Sequence, residues 1–158
     1  MENNPHLSIE LVWEDSELEE LHISASNGRY SGIAQVYFAL GDIEDLANRI
    51  RGFPQAVSQE VIFSGGAEDS DSFVRLVFRC VDGVGHTVVK VSLVEVFREY
   101  ARPTIRGRVE FELLFEPFAL DEFSRDLEQM AKRRIPRALL RGIDATRAGS
   151  ELLKAYRT

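Results

Sequence analysis

The chain has 158 residues, of which 44% are hydrophobic and 28% charged, as in a single globular domain. It contains no run of about 18 apolar residues and no apolar leader, so we expect neither a transmembrane helix nor a signal peptide. We therefore expect a cytoplasmic location. The single cysteine, Cys80, excludes an internal disulfide framework.

The net charge of −7 is unevenly distributed along the chain. Residues 132–158 contain eight basic and two acidic side chains and carry +6, so residues 1–131 carry −13. An acidic body repels nucleic acid and attracts basic proteins. The charge pattern therefore predicts a basic protein partner, disfavours nucleic acid, and gives no indication of a membrane partner.

The first third of the chain reads as three strands. Residues 7–13 alternate between apolar and polar positions, and residues 21–26 do the same. The pair Asn27-Gly28 is a strong hairpin-turn signal, and residues 29–40 form the third predicted strand. The buried face of the first strand is expected to consist of Leu7, Ile9, Leu11 and Trp13.

A helix is predicted for residues 42–50, with Asp42 as its N-cap. Its apolar stripe has helical spacing and consists of Ile43, Leu46, Ala47 and Ile50. A short strand over residues 60–63 follows, and then an acidic loop.

Residues 72–97 contain two long runs rich in valine and phenylalanine, separated by a short break. Gly83 and Gly85 lie in this break and can adopt the positive φ angles of a tight turn. The pattern predicts a long β-hairpin at the centre of the sheet.

The chain is then expected to turn through residues 98–104, where Pro103 cannot donate a ladder hydrogen bond. Residues 108–115 alternate as a last strand, and Pro117 lies near the start of a second helix. The apolar stripe of this helix is Leu120, Phe123, Leu127 and Met130.

These elements predict an α+β fold with a mostly antiparallel, curved sheet of about seven strands in the order β-β-β-α-β-β-β-β-α, with two helices. Short connections favour antiparallel neighbours. One domain is expected over residues 1–134, and residues 135–158 are expected to form a basic, partly helical tail. An exposed strand edge would leave homodimerisation by sheet extension open.

No catalytic, metal-binding or cofactor-binding residue is assigned. His6, His22 and His86 lack the spacing of a metal site, and Cys80 lies on an apolar strand face. The glycine pairs lack the context of a phosphate loop, and the acidic loop lacks calcium-loop spacing.

Two acidic clusters are the predicted partner-binding residues. The first consists of Glu14, Asp15, Glu17, Glu19 and Glu20, and the second of Glu68, Asp69 and Asp71. Each cluster alone is typical of a solubilising surface. Together, on an acidic body, they could steer a basic partner and raise its association rate.

Two alternatives remain open. Nucleic-acid binding would use the basic residues Lys132, Arg133, Arg134, Arg137 and Arg141. These residues could equally stabilise a helix C-terminus and neutralise the acidic body. The other alternative is a small-ligand pocket between the sheet and the helices.

The layout resembles a known family in three places. These are the helix start at residues 42–46, the hairpin break Asp82-Gly83-Val84-Gly85-His86, and the passage from the last strand into residues 118–127. The pattern over about residues 7–130 resembles WapI-like bacterial immunity proteins and related small bacterial domains. This resemblance implies a protein that binds and neutralises a cognate toxin without catalysis or cofactor, and it supplies no catalytic residues.

Overall fold

The computed structural model describes residues 4–67, 72–82, 86–99 and 102–144. The α+β class, with antiparallel strands and two helices, is confirmed, and these residues contain eight strands. In chain order the elements are β1 (His6–Glu14), β2 (Leu18–Ser26), β3 (Ser31–Ala39), α1 (Asp42–Ile50), β4 (Glu60–Gly66), β5 (Phe73–Cys80), β6 (Thr87–Glu99), β7 (Arg102–Phe115), α2 (Pro117–Ala131) and β8 (Arg137–Arg141).

The strands form two four-stranded sheets rather than the single curved sheet that was expected. The first sheet has the order β3-β2-β1-β8 and the second β4-β5-β6-β7, with every neighbouring pair antiparallel. The segment containing α1 carries the chain from one sheet to the other. Each sheet has one apolar face, and both faces enter a single core with the buried sides of the two helices.

Strand β3 crosses the second sheet closely, and glycine makes this approach feasible at both ends. A Cβ atom on Gly32 would lie 2.5 Å from Val109 of β7, and one on Gly65 of β4 would lie 2.5 Å from the ring of Phe38. That ring stacks on Phe63 with centroids 4.6 Å apart and planes 5° from parallel. The sheets therefore meet through β3.

Both predicted helices are present and bury their predicted stripes. Helix α2 begins at Pro117, as expected. The N-cap of α1 is Gly41, with φ 94°, rather than Asp42. The carboxylate of Asp42 instead accepts a hydrogen bond from the backbone N–H of Ala39 at 3.0 Å, so it fixes the end of β3.

The expected tail does not begin at residue 135. Arg137–Arg141 forms β8 and pairs with β1, with Leu7 opposite Leu140. Ala138 and Leu140 are fully buried. These five residues are too few for their alternation to predict a strand. They form one because the free edge of β1 provides backbone hydrogen-bond partners. Residues 145–158 lie outside the described part of the chain.

The β6–β7 hairpin is longer than predicted. Its ladder continues through Arg98 opposite Pro103 to Glu99 opposite Arg102, beyond a register shift after Phe97. Proline is accommodated because β7 is an edge strand, where one side of the backbone needs no partner strand. The expectation that Pro103 stops pairing is therefore wrong.

Side chains occupy hydrogen-bonding groups on three sheet edges. Glu95 accepts from the N–H of Gln35 on β3 at 3.1 Å, and Asp126 accepts from the N–H of Leu139 on β8 at 3.2 Å. Arg49 donates to the carbonyl of Ile62 on β4 at 2.6 Å. Such contacts limit edge-to-edge association. Neither described helix is both long and apolar enough to cross a membrane.

We expect Gly65→Ala to lower the free energy of unfolding by about 1–3 kcal/mol, because the added methyl group displaces the Phe38 ring from its stack on Phe63. Urea unfolding measures this change.

Gly107→Ala is the matched control, because a Cβ atom on Gly107 has no neighbour within 4 Å. Its effect should stay within about 0.5 kcal/mol. Equal effects of the two substitutions would show that β3 does not approach β4 this closely.

Candidate functional site

The first acidic cluster lies at the turn between β1 and β2, and Asp15 forms that turn. Its carboxylate accepts hydrogen bonds from the N–H groups of Glu17 and Leu18, both at 2.8 Å. The bonds from Leu18 and then Glu17 lower the pKa of Asp15, because they favour the ionised form. Asp15 thus shapes the turn that displays its neighbours.

Glu14 and Glu19 lie directly opposite each other in the β1–β2 ladder. Like charges in this position repel each other unless a cation lies between them. Arg133 supplies this cation: its Nη2 donates to Glu14 and to Glu19, both at 2.8 Å, and its Nε donates to Glu14 at 2.9 Å. The cluster is therefore partly neutralised from within the protein.

Glu19 is the buried member of this ion pair, with only 1% of the residue exposed. Its Oε1 is buried and, within the described part of the chain, lacks a hydrogen-bond partner. Burial raises the pKa of Glu19, and the nearby Arg133 opposes the rise without cancelling it. Glu19 was predicted to contact a partner, but in this structure it supports the hairpin from the interior.

Arg133 is held in place at the C-terminal end of α2. It has φ 59°, and its Nη1 donates to the carbonyl of Met130 at 3.0 Å. The hydrogen bond from its side chain to Glu14 is the main reason that the pKa of Arg133 is raised further. The guanidinium remains charged and joins the helix to the hairpin.

Trp13 was expected on the buried face of β1, but it lies on the outer face. The β1–β2 register shifts between Leu11 and Trp13, so that Leu11 pairs with Leu21 and Trp13 with Glu20. An extra residue in one strand turns the following side chains to the opposite face. Because of this bulge, 47% of Trp13 is exposed.

Trp13 has an aromatic partner on β3. Tyr37 is 56% exposed, and the two rings are edge-to-face, with centroids 6.1 Å apart and planes at 87°. Glu20 lies between them in the ladder, because it pairs with both residues. The alternation of β3 already turns Tyr37 outward, but the pair could not be predicted from the sequence because the bulge in β1 is needed to bring Trp13 to the same face.

We call this surface the acidic–aromatic patch. It consists of Trp13, Leu18, Glu20 and Tyr37 on the outer face, with Glu14, Asp15 and Glu17 at the adjoining turn. Carboxylates accept hydrogen bonds from lysine and arginine, and aromatic rings offer apolar area and attract cations. The patch is suited to binding a basic protein surface.

The second acidic cluster, Glu68, Asp69 and Asp71, lies outside the described residues. Its predicted role in binding stays a prediction.

The basic residues assigned to nucleic-acid binding have different surroundings in the structure. Arg133 is engaged with Glu14 and Glu19, whereas Arg137 and Arg141 lie on β8. The structure therefore divides this cluster between an internal ion pair and a strand.

Cys80 and His86 are the chemically reactive side chains beside the β5–β6 connection. Burial, and then the charge of Asp82, raise the pKa of the Cys80 thiol, which keeps it protonated. The His86 ring contacts the Asp82 carboxylate through Nδ1, and the backbone N–H of His86 donates to the same carboxylate at 3.1 Å. No cluster of three or more potential metal ligands occurs in the described ranges.

No protein-family model matches the chain, and neither does any curated protein or solved structure. The expected kinship with WapI-like immunity proteins stays a prediction.

We expect Arg133→Ala to lower the free energy of unfolding, because it leaves the buried Glu19 charge without its cation. The loss should be about 2–3 kcal/mol, below the about 3–5 kcal/mol of a fully buried pair, because the Arg133 side chain is 35% exposed. Urea unfolding at neutral pH measures it.

The neighbouring Arg134→Ala is the control, because among the described residues the side-chain contact of Arg134 is a weak one with Gln129 at 3.5 Å. Adding Glu19→Gln to Arg133→Ala should recover part of the loss. No recovery would show that the unpaired Glu19 charge is not the cause.

Glu19 should also give stability an unusual dependence on pH. The folded-state pKa of this acid is raised above its ordinary value of 4.5, so the folded state binds more protons than the unfolded state above that pH. The stability of the protein relative to its Glu19→Gln variant should therefore fall as pH rises from about 4.5 towards 7. Parallel stability curves, from urea unfolding at each pH, would contradict a raised pKa.

Proposed function

We propose that this chain is a non-enzymatic protein-binding module that binds a basic partner through the acidic–aromatic patch. The observation that carries the proposal is the exposed Trp13–Tyr37 pair on either side of Glu20, beside an acidic turn.

The aromatic pair supports an interface because tryptophan and tyrosine are among the residues that dominate binding energy. Each ring has a large apolar area and few rotatable bonds, so little entropy is lost when it is covered. The two rings also restrict each other through their edge-to-face contact. Leu18, which is 42% exposed, adds apolar area beside them.

The charges support a basic partner. Within the described part of the chain, Arg133 is the basic residue in ion pairs with the acidic cluster, and it engages Glu14 and Glu19. Asp15, Glu17 and Glu20 leave the patch negative overall. Their field would speed the approach of a basic protein, and salt would weaken this effect.

The scaffold beneath the patch supports binding without large rearrangement. The Asp15 turn fixes one end of the hairpin, and Arg133 attaches its inner side to α2. A surface held in its binding conformation loses less entropy when it associates.

The resemblance to WapI-like immunity proteins suggests the biological form of this activity. In that form the partner is a basic toxin domain, and binding neutralises it without chemistry.

Replacing both Trp13 and Tyr37 with alanine should weaken binding to the partner by about 30-fold or more, the size of a hot-spot loss. The partner is first captured from the native host at low salt with the intact chain and identified by mass spectrometry. Affinity is then measured with the purified partner.

A second variant, Glu17→Lys with Glu20→Lys, should slow association and remove most of the salt dependence. The controls are Phe118→Ala, an aromatic residue that is 62% exposed on α2, and Glu44→Lys on α1. The proposal is supported if a basic partner binds the two patch variants more weakly and the two controls as well as the unaltered protein. A partner that binds all variants equally well would exclude the patch as its site.

A further inference from the structure

A depression of about 420 Å³ lies on the outer face of the first sheet, at the corner where β1 pairs with β8. It is separate from the acidic–aromatic patch, which lies at the other end of β1. Its lining includes His6, Ser8, Ser24, Arg137, Leu139 and Arg141.

The lining of this depression is unusual for so acidic a chain. It includes two guanidinium groups, a histidine and two serine hydroxyls, and no carboxylate is among the lining residues. The whole chain has 26 acidic against 19 basic side chains. A concave surface without acids is thus a local reversal of the overall charge.

Arg137 and Arg141 are both exposed. Within the described part of the chain, neither side chain makes a hydrogen bond or an ion pair. This differs from Arg79, which donates to Glu112 at 2.9 Å, and from Arg133 in its ion pairs. Their charges are therefore available to a ligand.

The register places these groups close together. Arg141 lies opposite His6, and Leu139 lies opposite Ser8. Arg137 and Arg141 are on the same side of β8, about 13 Å apart along the strand, and flank Leu139. Long arginine side chains can converge over that distance on an anion above Ser8.

We propose that this depression binds the phosphate group of a small organic phosphate. Guanidinium groups form paired hydrogen bonds with phosphate oxygens, and the hydroxyls of Ser8 and Ser24 are further donors. The volume falls within the range of small-molecule sites, about 300–1,000 Å³. Leu139 offers an apolar contact for the organic part.

Two acidic residues outside the lining limit where the phosphate lies. Asp126 accepts a hydrogen bond from the N–H of Leu139 at 3.2 Å, at the edge of β8. Glu10 is opposite Arg137 in the ladder and outside the lining of the depression. Its charge would repel an anion at that end. The phosphate is therefore placed towards Arg141 and Ser8, with Arg137 reaching it from the side.

The test is a ligand titration at constant ionic strength, in which the backbone amide NMR signals of the full chain are monitored. The probes are adenosine monophosphate and glucose 6-phosphate, with adenosine and glucose as phosphate-free counterparts. We expect saturable shifts at Ser8, Ser24, Leu139 and Arg141 with both phosphates and none with the counterparts.

The variant Arg137→Gln with Arg141→Gln should weaken phosphate binding about tenfold or more. Arg29→Gln with Arg75→Gln is the matched control, because these arginines are also exposed, have no recorded partner among the described residues, and lie elsewhere. The control should keep the affinity of the unaltered protein.

Shifts that rise linearly without saturation, or an equal loss in the control, would overturn the proposal in favour of nonspecific attraction. Binding of a short RNA without binding of either monophosphate would overturn it in favour of contacts with a nucleic-acid backbone. Neither result bears on the acidic–aromatic patch, whose test uses different variants.

Discussion

The ion pairs of Arg133 with Glu14 and Glu19 hold the β1–β2 hairpin against the end of α2. They join the end of α2 to the β1–β2 hairpin across more than 100 residues of sequence. Without the guanidinium, two carboxylates would face each other in the ladder, and one of them is buried. A buried charge that loses its partner costs far more than a surface pair contributes. The same contact also explains why an acidic turn can be held rigidly at the edge of a core.

The bulge after Leu11 is the second constraint, and it decides what this rigid hairpin displays. Before the bulge, β1 alternates with its apolar residues inward, and Leu7 and Ile9 are fully buried. After it, Trp13 faces outward towards Tyr37, and Glu14 takes the inward position opposite Glu19. One extra residue therefore creates both the exposed aromatic pair and the need for an internal cation. The stability of the hairpin and the chemistry of its outer surface have the same origin.

The local elements could be predicted from the sequence because their signals are local. The stripe of α1, the start of α2 at Pro117 and the alternation of β1 up to Leu11 depend on neighbouring residues alone. The division of the strands into two sheets, β8 and the bulge could not be predicted, because each depends on pairing between strands: β8 forms only where β1 offers a free edge. The candidate site divides in the same way. Its charges can be counted in the sequence, whereas its aromatic pair and the burial of Glu19 follow from tertiary packing.

The outer face of the first sheet separates its charges by more than the range of electrostatic screening. The acidic–aromatic patch lies around Trp13, and the cationic depression lies around Ser8, roughly 16 Å away along β1. The Debye length at physiological salt is only about 8 Å, so a charged ligand near one corner is largely screened from the other. The net charge of −7 conceals this division. A basic protein at one corner and a phosphate at the other would not compete for charge, and neither would weaken the attraction of the other.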